Sequence, residues 1–342
     1  MNYFVNNDRG KNQYEHLGDV HTNLRPIFSL IIVGASITLL TLSVWNLNYI
    51  FNSTGNSCTF YLNPEEPLLH EVSKKFLSFG LDSSLLRDMK NLPISNKKFI
   101  RLARYLAPAY VRIGGTSADC LYFNQTGEQI SENTISPVDK QDISNFTITD
   151  VDFENIYNFT KRSQLRMIFD LNVLIRDVTG SWDSTNAQDI ISFAKERGME
   201  LDWQLGNEPN SFHFVFNITV TAMELGQDYY HLRQLLNEKG YTNSILVGPE
   251  VNHIGDSKHK GELYAKTVLE HSRDSINFVT WHQYYLNGRV AKVEDFVNPT
   301  VFNYLPMEIK SIGDTIKLYN KNLHMWLCML FINSYSNYSL SE

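Results

Sequence analysis

The sequence is poor in cysteine and has no excess of positive charge. Its three cysteines, Cys58, Cys120 and Cys328, are too few and too scattered for a disulfide framework or a zinc site, and they leave the redox compartment open. The formal net charge of -7 gives no reason to expect a nucleic-acid partner. The sequence also lacks a metal-ligand cluster, a P-loop, a nucleotide fingerprint and a serine nucleophile motif, so it implies no metal and no cofactor.

Apolar residues, in contrast, are plentiful. They make up 43% of the chain, with 13% aromatic residues, which excludes a disordered chain and allows a large core. The 342 residues suit one β/α barrel, which typically needs about 250 residues, plus an N-terminal extension.

Residues 27–45 form one apolar run without a charge, long enough to cross a bilayer as a helix. Arg9, Lys11 and Arg25 precede the run, and no Lys or Arg follows until Lys74, so the N-terminus is expected in the cytoplasm. We predict a cytoplasmic polar tail (1–25), a signal-anchor helix (26–46) and a lumenal stem (47–75), which together make a single-pass type II membrane protein. A cleaved signal peptide and a secreted product are the alternative, which the long polar leader disfavours.

Six N-glycosylation sequons follow the apolar run, each with Ser or Thr two residues after the asparagine. They are Asn52, Asn124, Asn145, Asn158, Asn217 and Asn337. Their number agrees with a secretory-pathway topology in which the main domain is lumenal or extracellular.

Strand and helix patterns alternate through the rest of the chain. Strands are predicted at 76–82, 110–116, 165–172, 201–205, 245–251, 277–285 and 323–327, and helices at 95–107, 185–197, 223–239, 263–271 and 309–319. This alternation predicts an α/β fold of the (β/α)8 TIM type over 76–327, which looks incomplete because it ends after the seventh strand. Residues 121–159 show no clear period and are interpreted as an inserted loop.

The run Leu201–Leu205 stops abruptly in Gly206, Asn207, Glu208 and Pro209. In a parallel β/α barrel this places the amide and the carboxyl group at the C-terminal mouth of a strand, where catalysis occurs. The amide can hold a sugar hydroxyl, while a partly desolvated Glu with a raised pKa can protonate a glycosidic oxygen. Taken alone, the tripeptide Asn207-Glu208-Pro209 is more typical of a solvated surface loop.

Four longer strings decide between these interpretations: YVRIGGT (110–116), WDSTNAQ (182–188), DWQLGNEPNSF (202–212) and WHQYYLNGR (281–289). In this order they resemble the heparanase family of retaining glycoside hydrolases, which cleave β-glucuronides. The resemblance covers residues 76–327 and implies that Glu208 is the general acid/base and that heparan sulfate or a related acidic polysaccharide is the partner. It also implies substrate contacts at Asp82, Thr116, Asn207, His282, Tyr284 and Arg289.

Two features depart from the family pattern. His253 and Gly255 stand where the family has Gln and Arg, which weakens the case for strong heparan sulfate binding. The family's nucleophilic Glu lies two residues beyond a Trp-Leu pair, here Trp326 and Leu327, so Met329 occupies its position. The sequence therefore predicts weak or no hydrolysis, with an unmatched tail at 328–342. A non-catalytic glycan-binding relative, or a truncated isoform of an active enzyme, remains the alternative.

Overall fold

The computed structural model describes residues 63–67, 71–125, 134–136, 140–255, 260–286 and 290–331, of which 329–331 are described by their backbone alone. The predicted tail and signal anchor, most of the stem and of the C-terminal tail, Arg289, Asn52 and Asn337 all lie outside these residues. Among the residues that are described, no helix combines the length and apolarity that crossing a bilayer requires.

The described elements alternate between strand and helix, as the sequence predicts. The strands are β1 (Phe79–Asp82), β2 (Ala109–Gly114), β3 (Leu121–Phe123), β4 (Phe146–Ile148), β5 (Leu165–Leu171), β6 (Asp202–Leu205), β7 (Leu246–Val251), β8 (Phe278–Tyr284) and β9 (His324–Phe331). The helices are α1 (Lys97–Arg104), α2 (Asp150–Arg162), α3 (Thr185–Glu196), α4 (Phe212–Val215), α5 (Ala222–Glu238), α6 (Gly261–Ser272), α7 (Pro299–Phe302) and α8 (Tyr304–Tyr319). Short 3-10 turns span Ser83–Asp88, Pro93–Ser95, Thr116–Cys120, Pro209–Ser211 and Val293–Val297.

The main sheet is parallel throughout and has the strand order β1-β2-β5-β6-β7-β8-β9. The sheet is curled. A contact between strands near its two edges shows this, since the ring of Trp326 on β9 lies 5.0 Å from the ring of Tyr110 on β2. Pairing of Asp82 with Gly114, and of Leu171 with Leu205, aligns the C-terminal ends of the strands at one edge. The predicted barrel strands are thus present as a half-barrel, which is consistent with an incomplete TIM-type barrel.

Buried apolar side chains fill the space between the sheet and the helices. Phe153 of α2 meets Phe169 of β5 edge to face, with ring centroids 5.0 Å apart. Tyr229 of α5 reaches the sheet because Gly248 has no side chain. A Cβ on Gly248 would lie 2.1 Å from the Tyr229 hydroxyl. That hydroxyl donates a hydrogen bond to the Leu205 carbonyl at the end of β6 and so supports the strand that precedes Glu208.

The predicted inserted loop at 121–159 is wrong at both of its ends. β3 and β4 pair in parallel, and α2 begins at Asp150 behind a capping box formed by Thr149 and Asp152. The buried face of α2 contains Phe153, Ile156 and Phe159, and this spacing is hidden among Asp, Asn and Thr residues in the sequence.

The first predicted helix, 95–107, is shorter in the structure, where α1 spans Lys97–Arg104. Its Ile100 and Ala103 are buried, whereas Leu102 is 64% exposed. Asn96 caps α1 by accepting a hydrogen bond from Lys98 N, and Ser95 belongs to the preceding 3-10 turn.

The last predicted strand, 323–327, ends too early, since β9 continues to Phe331 and remains paired with β8.

Candidate active site

Glu208 lies directly after β6, at the C-terminal mouth of the curled sheet. Its backbone is left-handed, with φ of 53°, and the preceding Gly206 has φ of 77°. A Cβ on Gly206 would lie 2.6 Å from Val173 Cγ1, so this turn requires glycine. A left-handed non-glycine residue costs on the order of 1 kcal/mol and is typical of functional sites.

Three side chains donate hydrogen bonds to the Glu208 carboxylate. Oε1 accepts from His282 Nδ1 at 2.7 Å and from Tyr284 Oη at 2.8 Å, and Oε2 accepts from Asn252 Nδ2 at 2.7 Å. The side chain of Glu208 is 17% exposed, so a ligand can still approach it. The structure therefore places the predicted residues His282 and Tyr284 on the predicted acid/base.

These contacts change the charge state expected for Glu208. Burial raises its pKa, but the hydrogen bonds from His282 and Tyr284 and the positive charge of His282 outweigh burial, and the net shift is downward. The sequence suggested that desolvation gives Glu208 a raised pKa, and this prediction is wrong. Glu208 is an ionised, strongly held carboxylate at neutral pH.

His282 connects Glu208 to a second carboxylate, Glu250, which is fully buried. His282 Nε2 lies 2.5 Å from Glu250 Oε2. Burial lowers the pKa of His282, but the charge of Glu250 and hydrogen bonds with Cys328, Glu208 and Glu250 raise it well above its ordinary value. For Glu250, burial raises the pKa, but the charges of Arg112 and His282 lower it to about 2. His282 is therefore an imidazolium whose two N–H groups donate to the two carboxylates.

Arg112, in the middle of β2, supplies the second positive charge and is itself buried. Its Nε donates to Gln204 Oε1 at 2.8 Å, and one terminal nitrogen donates to Asn207 Oδ1 at 2.8 Å. The same nitrogen lies 3.4 Å from Asp170 Oδ2 and 3.7 Å from Glu250 Oε2. Arg112 therefore links the Asn207 side chain to the buried carboxylates.

Asn207 is held on both its side chain and its backbone. Its backbone N–H donates to Asp119 Oδ2 at 2.9 Å, while its amide oxygen is taken by Arg112. Burial raises the pKa of Asp119 to about 7. The predicted sugar contact at Asn207 is thus 5% exposed and forms part of the charged network.

Asp82 and Thr116 lie at the ends of the neighbouring strands. Between them, Gly115 has φ of 117°, and a Cβ there would be 2.8 Å from Asp82 Oδ2. Asp82 is exposed and caps the following 3-10 turn by accepting from Ser84 N at 2.8 Å. Asp82 therefore lies beside the turn that contains Thr116. The predicted contact Arg289 lies outside the described residues.

The sequence interpretation did not identify the other members of this network. They are Arg112, Asp119, Asp170, Gln204, Glu250, Asn252 and Cys328. Arg112 and Asp170 did leave a signal, because each is a charged residue inside an otherwise apolar strand pattern. Such a charge needs a partner inside the barrel.

Glu250, His282 and Cys328 are the described residues that could together hold a metal ion, since their donor atoms lie within 4.8 Å of one another. The 2.5 Å contact between His282 and Glu250 requires a shared proton, and the Arg112 cation lies 3.7 Å from the same carboxylate oxygen. Both features favour a hydrogen-bonded network over a metal centre. That the protein uses neither a metal nor a cofactor stays a prediction.

The described sequons differ in accessibility. Asn217 and Asn158 are exposed, while Asn124 and Asn145 are partly buried. Asn217 lies between α4 and α5, whereas Asn158 lies within α2 and its sequon threonine, Thr160, is buried. Asn217 is therefore the most accessible described sequon.

A curled parallel sheet with a hydrogen-bonded Glu at its C-terminal mouth defines the class of barrel-type glycoside hydrolases. Solved structures agree on the fold. The GH51 arabinofuranosidase from Xanthomonas axonopodis pv. citri gives a TM-score of 0.53 at 12% identity, covering 75% of this chain and 57% of its own. The family 51 arabinofuranosidase AbfB from Bifidobacterium longum gives 0.52 at 13% identity, covering 80% of this chain and 58% of its own.

Residues 78–329 match the N-terminal domain of glycosyl hydrolase family 79, and the chain belongs to this family. Heparanase from Rattus norvegicus is 32% identical over 76% of this chain and 55% of its own length. Hyaluronoglucuronidase from Hirudo nipponia is 28% identical over 77% and 57%, and inactive heparanase-2 from Homo sapiens is 26% identical over 75% and 52%. The predicted resemblance to the heparanase family is confirmed, and the chain spans about half the length of these curated relatives.

Proposed function

We propose that this domain binds heparan sulfate-like glycosaminoglycan chains at the Glu208 site, in the manner of a retaining endo-β-glucuronidase, and that hydrolysis by this chain is weak. The observation that carries the proposal is Glu208 at the strand mouth, held by His282, Tyr284 and Asn252. The names of the relatives supply the substrate class, since they include heparanase and hyaluronoglucuronidase.

In this proposal Glu208 protonates the leaving oxygen and later activates water. His282 and Tyr284 hold Oε1 in a fixed direction, which spares the site the entropy of orienting a free side chain. Asp82 and Thr116, on the neighbouring strand ends, would receive sugar hydroxyls, and Arg289 would pair with a carboxylate or sulfate.

Weak hydrolysis is expected because the second catalytic carboxylate is replaced by a methionine. A retaining mechanism needs two carboxyl groups about 5–5.5 Å apart. Met329 occupies the family's nucleophile position and pairs with His282 across β8 and β9. Loss of one member of a catalytic unit costs roughly four to six powers of ten in rate in other enzymes. A thioether cannot form the glycosyl-enzyme ester, and Glu250 is enclosed behind His282.

A non-catalytic glycan-binding role is the second candidate. The lowered pKa of Glu208 favours it, because an ionised carboxylate accepts hydrogen bonds from sugar hydroxyls but cannot donate a proton.

The test uses the full chain expressed in a secretory cell line, beside a Glu208→Gln variant. We expect measurable binding of heparan sulfate in titration calorimetry and a release of reducing ends near the detection limit at mildly acidic pH. Efficient release that Glu208→Gln abolishes would establish an enzyme and contradict the weak-hydrolysis part. Absence of binding to both heparan sulfate and hyaluronan would refute the proposed function itself.

We also propose that the domain faces the secretory lumen as part of a single-pass type II membrane protein. The uncharged run at 27–45 and the sequons support this topology. The protein is expressed in a secretory cell and run on a gel before and after glycosidase treatment. Asn217→Gln should increase the gel mobility by one step, and glycosidase treatment should increase it further. Recovery of the protein in the medium would favour the secreted alternative.

A further inference from the structure

A buried carboxylate lies behind the predicted acid/base. Glu208, His282, Glu250 and Arg112 form one continuous chain of contacts, with distances of 2.7, 2.5 and 3.7 Å. Glu208 is open to ligands and Glu250 is fully enclosed. The roles proposed above for Glu208 and its sugar contacts do not use Glu250.

The backbone shows that β7 directs Glu250 toward this position. Pairing of β7 with β8 shifts register between Pro249 and Val251, and Glu250 itself has φ of 57°. A bulge of this kind re-aims a side chain at the end of a strand and is common beside active sites. Thr280 Oγ1 accepts from Glu250 N at 3.2 Å, which holds the bulge against β8.

The end of β7 also holds the Glu208 loop. Glu208 N donates to the Glu250 carbonyl at 3.1 Å, and Ser211 Oγ donates to Asn252 Oδ1 at 2.8 Å. Asn252 Nδ2 in turn donates to Glu208 Oε2. The two carboxylates are thus fixed to each other through their main chains as well as through His282.

We propose that Glu250 is a positioning residue that keeps His282 positively charged, so that His282 fixes Glu208 Oε1 and holds Glu208 as a carboxylate in the unliganded site. The inference deepens the proposed function of Glu208 and rests on it.

Titratable groups face this pair from several elements. They are Arg112 on β2, Asp119 in the following turn, Asp170 on β5, Tyr229 on α5, His253 after β7, Tyr284 on β8 and Cys328 on β9. Burial raises the pKa of Asp119 to about 7 and also raises the pKa of Asp170, which favours the neutral forms of these two aspartates. Arg112 and His282 then balance Glu208 and Glu250, and loss of the Glu250 charge leaves the network with excess positive charge.

The effect on His282 follows from Coulomb attraction over a short distance in a dry site. In Glu250→Gln, Nε2 faces a neutral amide instead of a carboxylate, so the proton affinity of His282 should fall at least tenfold. With a neutral imidazole, Glu208 loses a charge-assisted hydrogen bond, and its pKa should rise.

The experiment is a pH titration of the full chain labelled with 15N-histidine, with the His282 signal assigned by its loss in His282→Gln. The wild type should keep the His282 imidazolium at a pH where an ordinary histidine is already neutral. In Glu250→Gln the same signal should become neutral at a pH at least one unit lower, while Glu250→Asp, which keeps the charge, should retain most of the imidazolium.

Tyr284→Phe is the matched control, because it removes one hydrogen bond to Glu208 without changing the partners of His282. Its His282 titration should follow the wild type. An unchanged titration in Glu250→Gln, or a neutral His282 in the wild type at pH 7, would overturn the proposal, and the wild-type result alone decides if Glu250→Gln does not fold. Because the readout needs no glycan and no turnover, it can succeed even where the proposed function fails.

Discussion

Arg112 offers the sharpest test of whether buried charges stabilise this domain. Its guanidinium contacts Gln204, Asn207, Asp170 and Glu250 from the middle of a strand, and its side chain is only 6% exposed. Truncating one partner of a buried ion pair costs about 3–5 kcal/mol, because the remaining charge is left without compensation. In Arg112→Gln both Asp170 and Glu250 lose their shared cation.

The predicted loss converts into a measurable shift in melting temperature. For a domain of this size, each kcal/mol lowers Tm by about 2–4 °C, so Arg112→Gln should melt about 6–20 °C below the wild type at neutral pH. Thermal unfolding followed by circular dichroism measures the shift.

Arg197→Gln is the control, since Arg197 pairs with Glu154 at 3.1 Å but both side chains are well exposed, at 50% and 39%. An exposed pair contributes about 0–1 kcal/mol, so the control should stay close to the wild type.

The pH dependence separates charge balance from space filling. In the wild type, the depressed pKa of Glu250 contributes stability that is complete above its ordinary value of 4.5 and is lost as pH falls toward about 2. Without Arg112 the pKa of Glu250 rises. Glu250 of the variant is therefore protonated at a higher pH, and its protonation removes the uncompensated buried charge. The deficit relative to the wild type should therefore be largest at neutral pH and should shrink as the pH falls. A deficit that is independent of pH, or no larger than that of Arg197→Gln, would show that Arg112 serves only to fill space.

Three further changes test the site and the turn beside it. Met329→Glu should raise the release of reducing ends from heparan sulfate by at least tenfold, whereas Met329→Gln should not; equal rates would contradict the assignment of the nucleophile position. Gly115→Ala should destabilise the domain by about 1–3 kcal/mol in chemical unfolding, because φ is 117° and a carboxylate oxygen lies 2.8 Å from the new Cβ; Gly180→Ala, in open space, should cost less. Tyr284→Phe should raise the pKa of Glu208 by removing a 2.8 Å hydrogen bond, and an unchanged carboxyl titration by 13C NMR would refute that.

The position of Glu208 could be predicted from the sequence because the relevant signals are local. The apolar run before Gly206 and Pro209 specifies a strand that stops, and parallel strands share one functional edge. The same reasoning places Asp82 and Tyr284 at strand ends, where the structure has them. Each of these inferences uses only residues that are near neighbours in the chain.

Glu250 could not be predicted in the same way. Its side chain direction depends on a bulge in β7, and its charge depends on Arg112, which lies 138 positions away in the sequence and reaches it only when the sheet curls. The lowered pKa of Glu208 has the same origin, because burial alone would raise it and the partners on β8 reverse the sign. Periodicity reports which face is buried but not which charges meet there.

The low pKa of Glu208 and the residue at position 329 would limit hydrolysis in different ways. In the proposed complex, a bound uronate would bring negative charge and exclude water at the mouth. Both effects raise the pKa of a carboxylate, so ligand binding would restore the proton that an acid needs. No ligand can convert the thioether of Met329 into the carboxylate that forms a glycosyl-enzyme ester. A pH profile of binding therefore reports on Glu208 even in a chain that does not turn over, whereas the rate responds to Met329→Glu. Measuring both separates an enzyme that lacks one carboxylate from a domain whose site has become a glycan receptor.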